Sequence, residues 1–278
     1  MSPRRIHGAL VLALELARSS PASNVAATLE DGYRLMYGLD FASAGRVFLQ
    51  WRAEHPRDPL GPMSLAVNLL FAELNRSGVL RAQFFVDDRS FTSSKPPAPP
   101  PDLRARFDAA VDEAEIVAQA RLRENPTDPD ALFVLAMASG LRADFVALVE
   151  GRGMAALSYT REAAVAARRL IQVAPDYADT YLARGISHLM VGSLIAPMRW
   201  ALRLAGFESD RRKGMQELRL TAESGRFLGP FARILLAIAC LREQDTNRAR
   251  DLLAGLAHDF PTNPLFAREL RRLTAQPN

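Results

Sequence analysis

Residues 256–270 read LAHDFPTNPLFAREL. An apolar, helix-like run stops at Pro261, and a second one opens three residues later. Proline has no amide hydrogen and its ring clashes with the turn before it, so it ends the first helix. It also suits the first turn of the next, where amides lack intrahelical partners anyway. The same punctuation recurs at RAEHPRDPLG (52–61), at RLRENPTDPDA (121–131) and, more loosely, at IQVAPDYADT (171–180). Pro56, Pro126, Pro175 and Pro261 are therefore taken as anchors. Twelve residues before each stands an alanine: Ala44, Ala114, Ala163 and Ala249. Ten residues after the first three stand Ala66, Ala136 and Gly185. Gly32 and Ala237 share a phase 24 residues ahead of Pro56 and Pro261. Antiparallel helices approach closely only where side chains are small, so the pattern predicts helix hairpins with fixed contact points. Asp58 and Asp128 lie just ahead of the next helices, where a side-chain oxygen caps free amides.

A hairpin of about 34 residues with these small positions and a closing proline resembles the tetratricopeptide repeat, or TPR. ILLAIACLREQDTNRARDLLAGLAHDFP (234–261) is the best match, with Leu236, Ala237, Ala249, Leu253 and Pro261 at the positions that define the family. DGYRLMYGLDFASAGRVFLQWRAEHP (31–56) is the second, through Gly32, Phe41, Ala44, Phe48 and Pro56. The units around Pro126 and Pro175 match in part: Arg121 and Arg184 stand where an apolar residue is expected, which predicts rotated or displaced helices there. The resemblance implies an all-α fold, antiparallel helix pairs stacked as an α-solenoid. The expected organisation is one repeat domain over 24–275, with insertions near 87–101 and 193–208. Helices are expected over 24–38, 41–54, 60–77, 102–124, 129–148, 154–173, 177–191, 194–205, 209–224, 229–243, 246–259 and 263–274.

The bulk numbers agree with a folded protein. The chain has 278 residues, 49% of them hydrophobic and 24% charged, with 35 Lys and Arg against 31 Asp and Glu. The basic residues are scattered among acids, which does not give the basic stripe that nucleic acid requires. The one cysteine, Cys240, excludes an internal disulfide and a cysteine metal cluster, and its apolar setting reads as a buried inert thiol. His7, His55, His188 and His258 share no ligand spacing. The start of the chain has two readings. Arg4 and Arg5, an apolar run from Gly8 to Leu14 and small residues from Ser19 to Ala27 follow the order of a secretory signal peptide over residues 1–23. Glu15 interrupts that run, and an amphipathic first helix with Ile6, Leu10, Leu14 and Ala17 on one side fits as well. The first reading places the protein in the periplasm or envelope, the second in the cytoplasm.

Two insertions break the period. Residues 87–102, DDRSFTSSKPPAPPPD, hold five of the 18 prolines and read as an exposed spacer. Residues 190–214 hold an apolar stripe (Leu194, Met198, Leu202, Gly206) beside Arg199, Trp200 and Arg203. This is either a helix packed across the stack or an amphipathic helix for an anionic membrane surface; Met198, Arg199, Trp200, Leu202 and Arg203 would make that contact. The stretch also resembles one in uncharacterised bacterial TPR proteins and, more distantly, in a eukaryotic TPR family associated with the mitochondrial outer membrane. Gly192, Ser193, Pro197, Gly206, Phe207, Asp210, Arg211, Gly214 and Leu218 carry the likeness, which implies fold and lineage and transfers no activity.

No Walker loop, GxSxG or Rossmann fingerprint occurs. EGRGMA (150–155) reads as turn punctuation, and Asp112 with Glu115 as a solvated helix face. No catalytic residue, cofactor or metal ligand is therefore expected. In stacked repeats the first helix of each pair lines the inner surface. Met63, Val67, Phe133, Met137, Leu182 and Ile186 fall there, forming either an apolar groove for a protein or peptide partner or part of the core. The sequence thus points to a non-enzymatic scaffold, with peripheral membrane docking as the alternative.

Overall fold

A computed structural model describes residues 27–80, 98–193 and 210–275. Among them every regular element is a helix. Eleven α-helices follow in order: α1 (Leu29–Tyr37), α2 (Phe41–Glu54), α3 (Leu60–Arg76), α4 (Leu103–Glu124), α5 (Pro129–Asp144), α6 (Ala156–Val173), α7 (Tyr181–Ser193), α8 (Arg211–Ser224), α9 (Gly229–Arg242), α10 (Thr246–Asp259) and α11 (Pro264–Ala275). Consecutive helices pack as hairpins, α1 with α2 through α9 with α10, and α11 closes the C-terminal end against α10. The fold is all-α and TPR-like.

Each anchor proline occupies the same turn. The residue before it is extended, as proline demands of its predecessor: His55, Asn125, Ala174 and Phe260 have φ between −126° and −137° and ψ between 64° and 97°. Each donates its amide back to the helix it ends, to Trp51, Arg121, Leu170 and Leu256 respectively. Each then accepts from the amide of the residue two beyond the proline: Asp58, Asp128, Tyr177 and Asn263. At three of those four sites the side chain caps the next helix. Asp58 accepts from the Leu60 amide at 3.0 Å, Asp128 from Ala131 at 3.0 Å and Asn263 from Leu265 at 2.9 Å. One tetrapeptide turn thus stops one helix and starts another.

The small residues lie at the seams. Ala44, Ala66, Ala114, Ala163, Ala237 and Ala249 are buried. A β-carbon on Gly32 would stand 2.3 Å from Phe48 Cε1, so this glycine lets α1 lie on the α2 ring. Gly185 of α7 and Gly214 of α8 meet back to back; a β-carbon on either would fall within about 3 Å of the other's carbonyl oxygen. Arg121 has a reason to replace an apolar residue. It sits five residues before Pro126, as Trp51 does before Pro56. Trp51 Nε1 donates to Asp58 Oδ2 at 2.8 Å and Arg121 Nε to Asp128 Oδ2 at 2.8 Å, so both brace the capping carboxylate from the preceding helix.

Some boundaries differ from the sequence expectation. The first helix starts at Leu29, because Thr28 and Asp31 form a reciprocal capping box. The helix expected over 129–148 ends at Asp144 and continues as a π-turn, Phe145–Val149, before Gly151 reverses the chain with φ of 69°. The stretch 177–191 begins as a 3₁₀ turn, Ala178–Thr180. The helix expected over 194–205 and most of the proline-rich spacer lie outside the described residues, as does the segment 1–26.

The stack curls until its first hairpin meets its fifth. Tyr33 packs on Phe227 with ring centroids 4.9 Å apart, and Phe71 of α3 meets Phe231 of α9 edge-on at 5.2 Å. Tyr37 donates its hydroxyl to the Phe227 carbonyl at 3.0 Å, and Asn263 Nδ2 donates to the Tyr37 carbonyl at 2.8 Å. Arg226 pairs with Glu30 across the same junction. The turn before α9 is held in turn by buried Asp179, whose carboxylate accepts from the amides of Arg226, Phe227 and Leu228 at 2.9, 3.1 and 2.8 Å.

Candidate functional site

The six residues placed on the inner surface divide. Met63, Val67, Phe133 and Leu182 are core, each under 8% exposed, while Met137 and Ile186 are half-buried and pack on that core. Neighbouring hairpins cover them. Ser64, next to Met63 on α3, hydrogen-bonds the Tyr33 hydroxyl, and the Phe133 ring lies 5.0 Å from that of Tyr177. The chain's own aromatic side chains fill space that an open solenoid leaves to a partner. A small apolar void of about 50 Å³ remains at the junction of the first and fifth hairpins, bordered by Met36, Phe71, Phe231, Ile234 and Phe266. Met198, Arg199, Trp200, Leu202 and Arg203 lie outside the described residues.

Many charged side chains bind helices to one another, within hairpins and between them. Asp112 and Glu115, expected to be solvated, both hold Arg142 of α5: Nη1 reaches Glu115 at 2.7 Å and Nη2 reaches Asp112 at 2.7 Å. These carboxylates hold the guanidinium's pKa above its usual range, with Glu115 the largest contributor. Arg184 pairs with buried Glu217 at 2.6 Å, with His188 Nε2 3.7 Å from the other carboxylate oxygen, and this group ties α7 to α8. Burial raises the Glu217 pKa, against the pull of Arg184, His188 and Lys213. Arg104 links Asp108 to Glu150, and Arg233 reaches Asp259 at 2.7 Å. Cys240 is buried, and that burial raises its thiol pKa. Among the described residues no group of three or more His, Cys, Asp or Glu is arranged to hold a metal ion.

One surface departs from this pattern. Between α5 and α6 lies an open trough of about 380 Å³, floored by Leu132, Leu135, Val165 and Ala166 and edged by Arg161, Glu162 and Arg169. Val165 is 53% exposed, an apolar side chain in the polar face opposite the seam formed by Ala163, Ala167 and Leu170. Among the described residues the side chains of Arg161, Glu162 and Arg168 make no ion pair, and Arg169 donates only to the Pro126 carbonyl, at 3.1 Å. Sequence reasoning missed this site because it looked for the inner face of α5. The available signal was Val165, an exposed position by the phase of α6 yet apolar. Pro129–Val149 is long and apolar enough to cross a membrane by composition, but half of it is buried inside the protein, as the hairpin's core helix.

No family model matches the chain, and no curated protein does. Among solved structures, a thermophilic TPR protein of Thermus thermophilus is similar, with a TM-score of 0.43 and 18% sequence identity over 90% of this chain and 100% of that one.

Proposed function

We propose that this protein is a non-enzymatic helical-repeat scaffold that binds a protein or peptide partner. The observation that carries this reading is the α5–α6 trough, an apolar floor open to solvent with basic side chains at its edge. Supporting it, the clustered charges of the described residues are engaged in holding helices together, as at Arg142, Arg184 and Asp179. Met137 and Ile186, half-buried, are a second place for contact in this reading. A photo-crosslinking amino acid at position 165 tests the reading in living cells, with Ile116, an exposed apolar residue of α4 away from the trough, as the control. A discrete protein adduct at 165 that is absent at 116 is expected. Equal labelling at both positions, or none at 165, would remove the support.

A further inference from the structure

We infer that the α5–α6 trough takes an amphipathic helix with acidic flanks, supplied by a partner protein; this rests on the scaffold reading and names its ligand. The shape argument comes from the fold itself. In this chain the second helix of a hairpin is normally covered by the first helix of the next: α3 packs closely on α2, α5 on α4, α9 on α8 and α11 on α10. At the third hairpin α7 touches α6 only lightly, and the trough opens there. A groove between two antiparallel helices is shaped to receive a third, ridge into groove. The face made by Glu162, Val165, Arg169 and Val173 runs along α6 for about three turns, roughly 16 Å at helical rise, so an apolar stripe of similar length fits it.

Charge sets the chemistry of that helix. Several arginines elsewhere meet carboxylates, as Arg52 does Glu113, Arg121 Asp128, Arg142 Glu115 and Arg226 Glu30. Along α6, Arg161, Arg168 and Arg169 have no carboxylate partner among the described residues, and Glu162 is the one acid beside them. Guanidinium groups edging an apolar floor favour carboxylates on either side of an apolar stripe. The chain's own segment 194–209 has the opposite character, with Arg199 and Arg203 against Glu208, so it is a poor complement.

The test uses the full-length protein and two fluorescein-labelled synthetic helices. They share one leucine stripe about three to four turns long and carry either Glu or Lys on the flanks. Fluorescence anisotropy is expected to show the Glu-flanked helix binding about tenfold or more tighter, a preference that shrinks as salt screens the charges. Exchanging Arg161 and Arg169 for Glu should reverse the preference, and Val165→Glu should weaken both peptides. All three positions are exposed, and circular dichroism will verify that the variants remain folded. Equal or tighter binding of the Lys-flanked helix overturns the inference, as does binding that Val165→Glu leaves unchanged. So does an intrachain disulfide between Val165→Cys and Trp200→Cys when neither peptide binds, which would give the trough to the chain's own segment. Dimerisation abolished by Val165→Glu, again with neither peptide bound, would give it to a second copy and equally overturn it. If position 165 crosslinks a protein in cells while the Lys-flanked helix binds better, the scaffold reading stands and this one falls.

Discussion

At the scale of single residues, the closest tolerance is at Gly32. Phe48 is fully buried, so its ring has nowhere to move when a methyl group arrives 2.3 Å from Cε1. Overpacking of this kind costs about 1–3 kcal/mol, and Gly32→Ala should lower the urea midpoint accordingly. Gly140 meets nothing within 4 Å, and Gly140→Ala should leave the midpoint the same or higher. Asp179 makes a second prediction. Burial raises its pKa above the ordinary 3.8, outweighing the pull of three backbone amides and Arg226. The native state therefore holds this proton more tightly than the unfolded chain does. Its contribution to stability is fully present below about pH 3.8 and is lost as pH rises through the elevated native value. Asp179→Asn should abolish that slope. It should also cost about 1–3 kcal/mol at neutral pH, since one amide oxygen replaces two carboxylate oxygens before three N–H groups. Urea titrations of both proteins across the acid range will measure slope and offset together; parallel curves would contradict the assignment.

At the scale of elements, one turn is used four times, and it is why the helical order was legible. Proline, its extended predecessor and the residue two positions on are all visible in a sequence, and each constrains the backbone directly. The structure adds the brace. Asp128 both caps α5 and receives Arg121, so Asp128→Ala should cost about 1–2 kcal/mol through the lost cap alone. Arg121→Leu, which restores the apolar residue expected of a repeat, should destabilise less, because the cap itself survives. Thermal melts ranking Asp128→Ala below Arg121→Leu check this; the reverse order would mean the brace matters more than the cap. The candidate site was poorly legible for the opposite reason. The inner position of a helix follows from phase, but whether that face stays open depends on how far the stack curls. Phe227 and Phe231, which meet Tyr33 and Phe71, lie far along the chain from them. The trough itself joins residues of α5 and α6 that are 26 or more positions apart, and local patterns of apolar residues do not encode that meeting.

At the scale of the whole molecule, the junction of first and fifth hairpins changes how stability is shared. In open repeat arrays each unit touches only its neighbours. Here Tyr37 bonds to Phe227 and receives Asn263, partners 190 and 226 residues away in sequence. Tyr37→Ala removes a buried ring together with its hydrogen bond, a loss of about 3–5 kcal/mol by analogy with other large-to-small core changes. Hydrogen exchange should then show α1, α9 and the start of α11 losing protection together, while α5 and α6 keep theirs. Loss confined to α1 would show that the two ends are adjacent without being energetically coupled.

The same junction limits how a protein of this shape can change over evolutionary time. An open array lengthens by duplicating a unit, because the added unit meets only surfaces like those already present. In this chain one more hairpin would carry Phe227 and Asn263 away from Tyr37 and uncover aromatic rings on both terminal units. A duplicated unit would therefore have to break this junction, which an open array does not require.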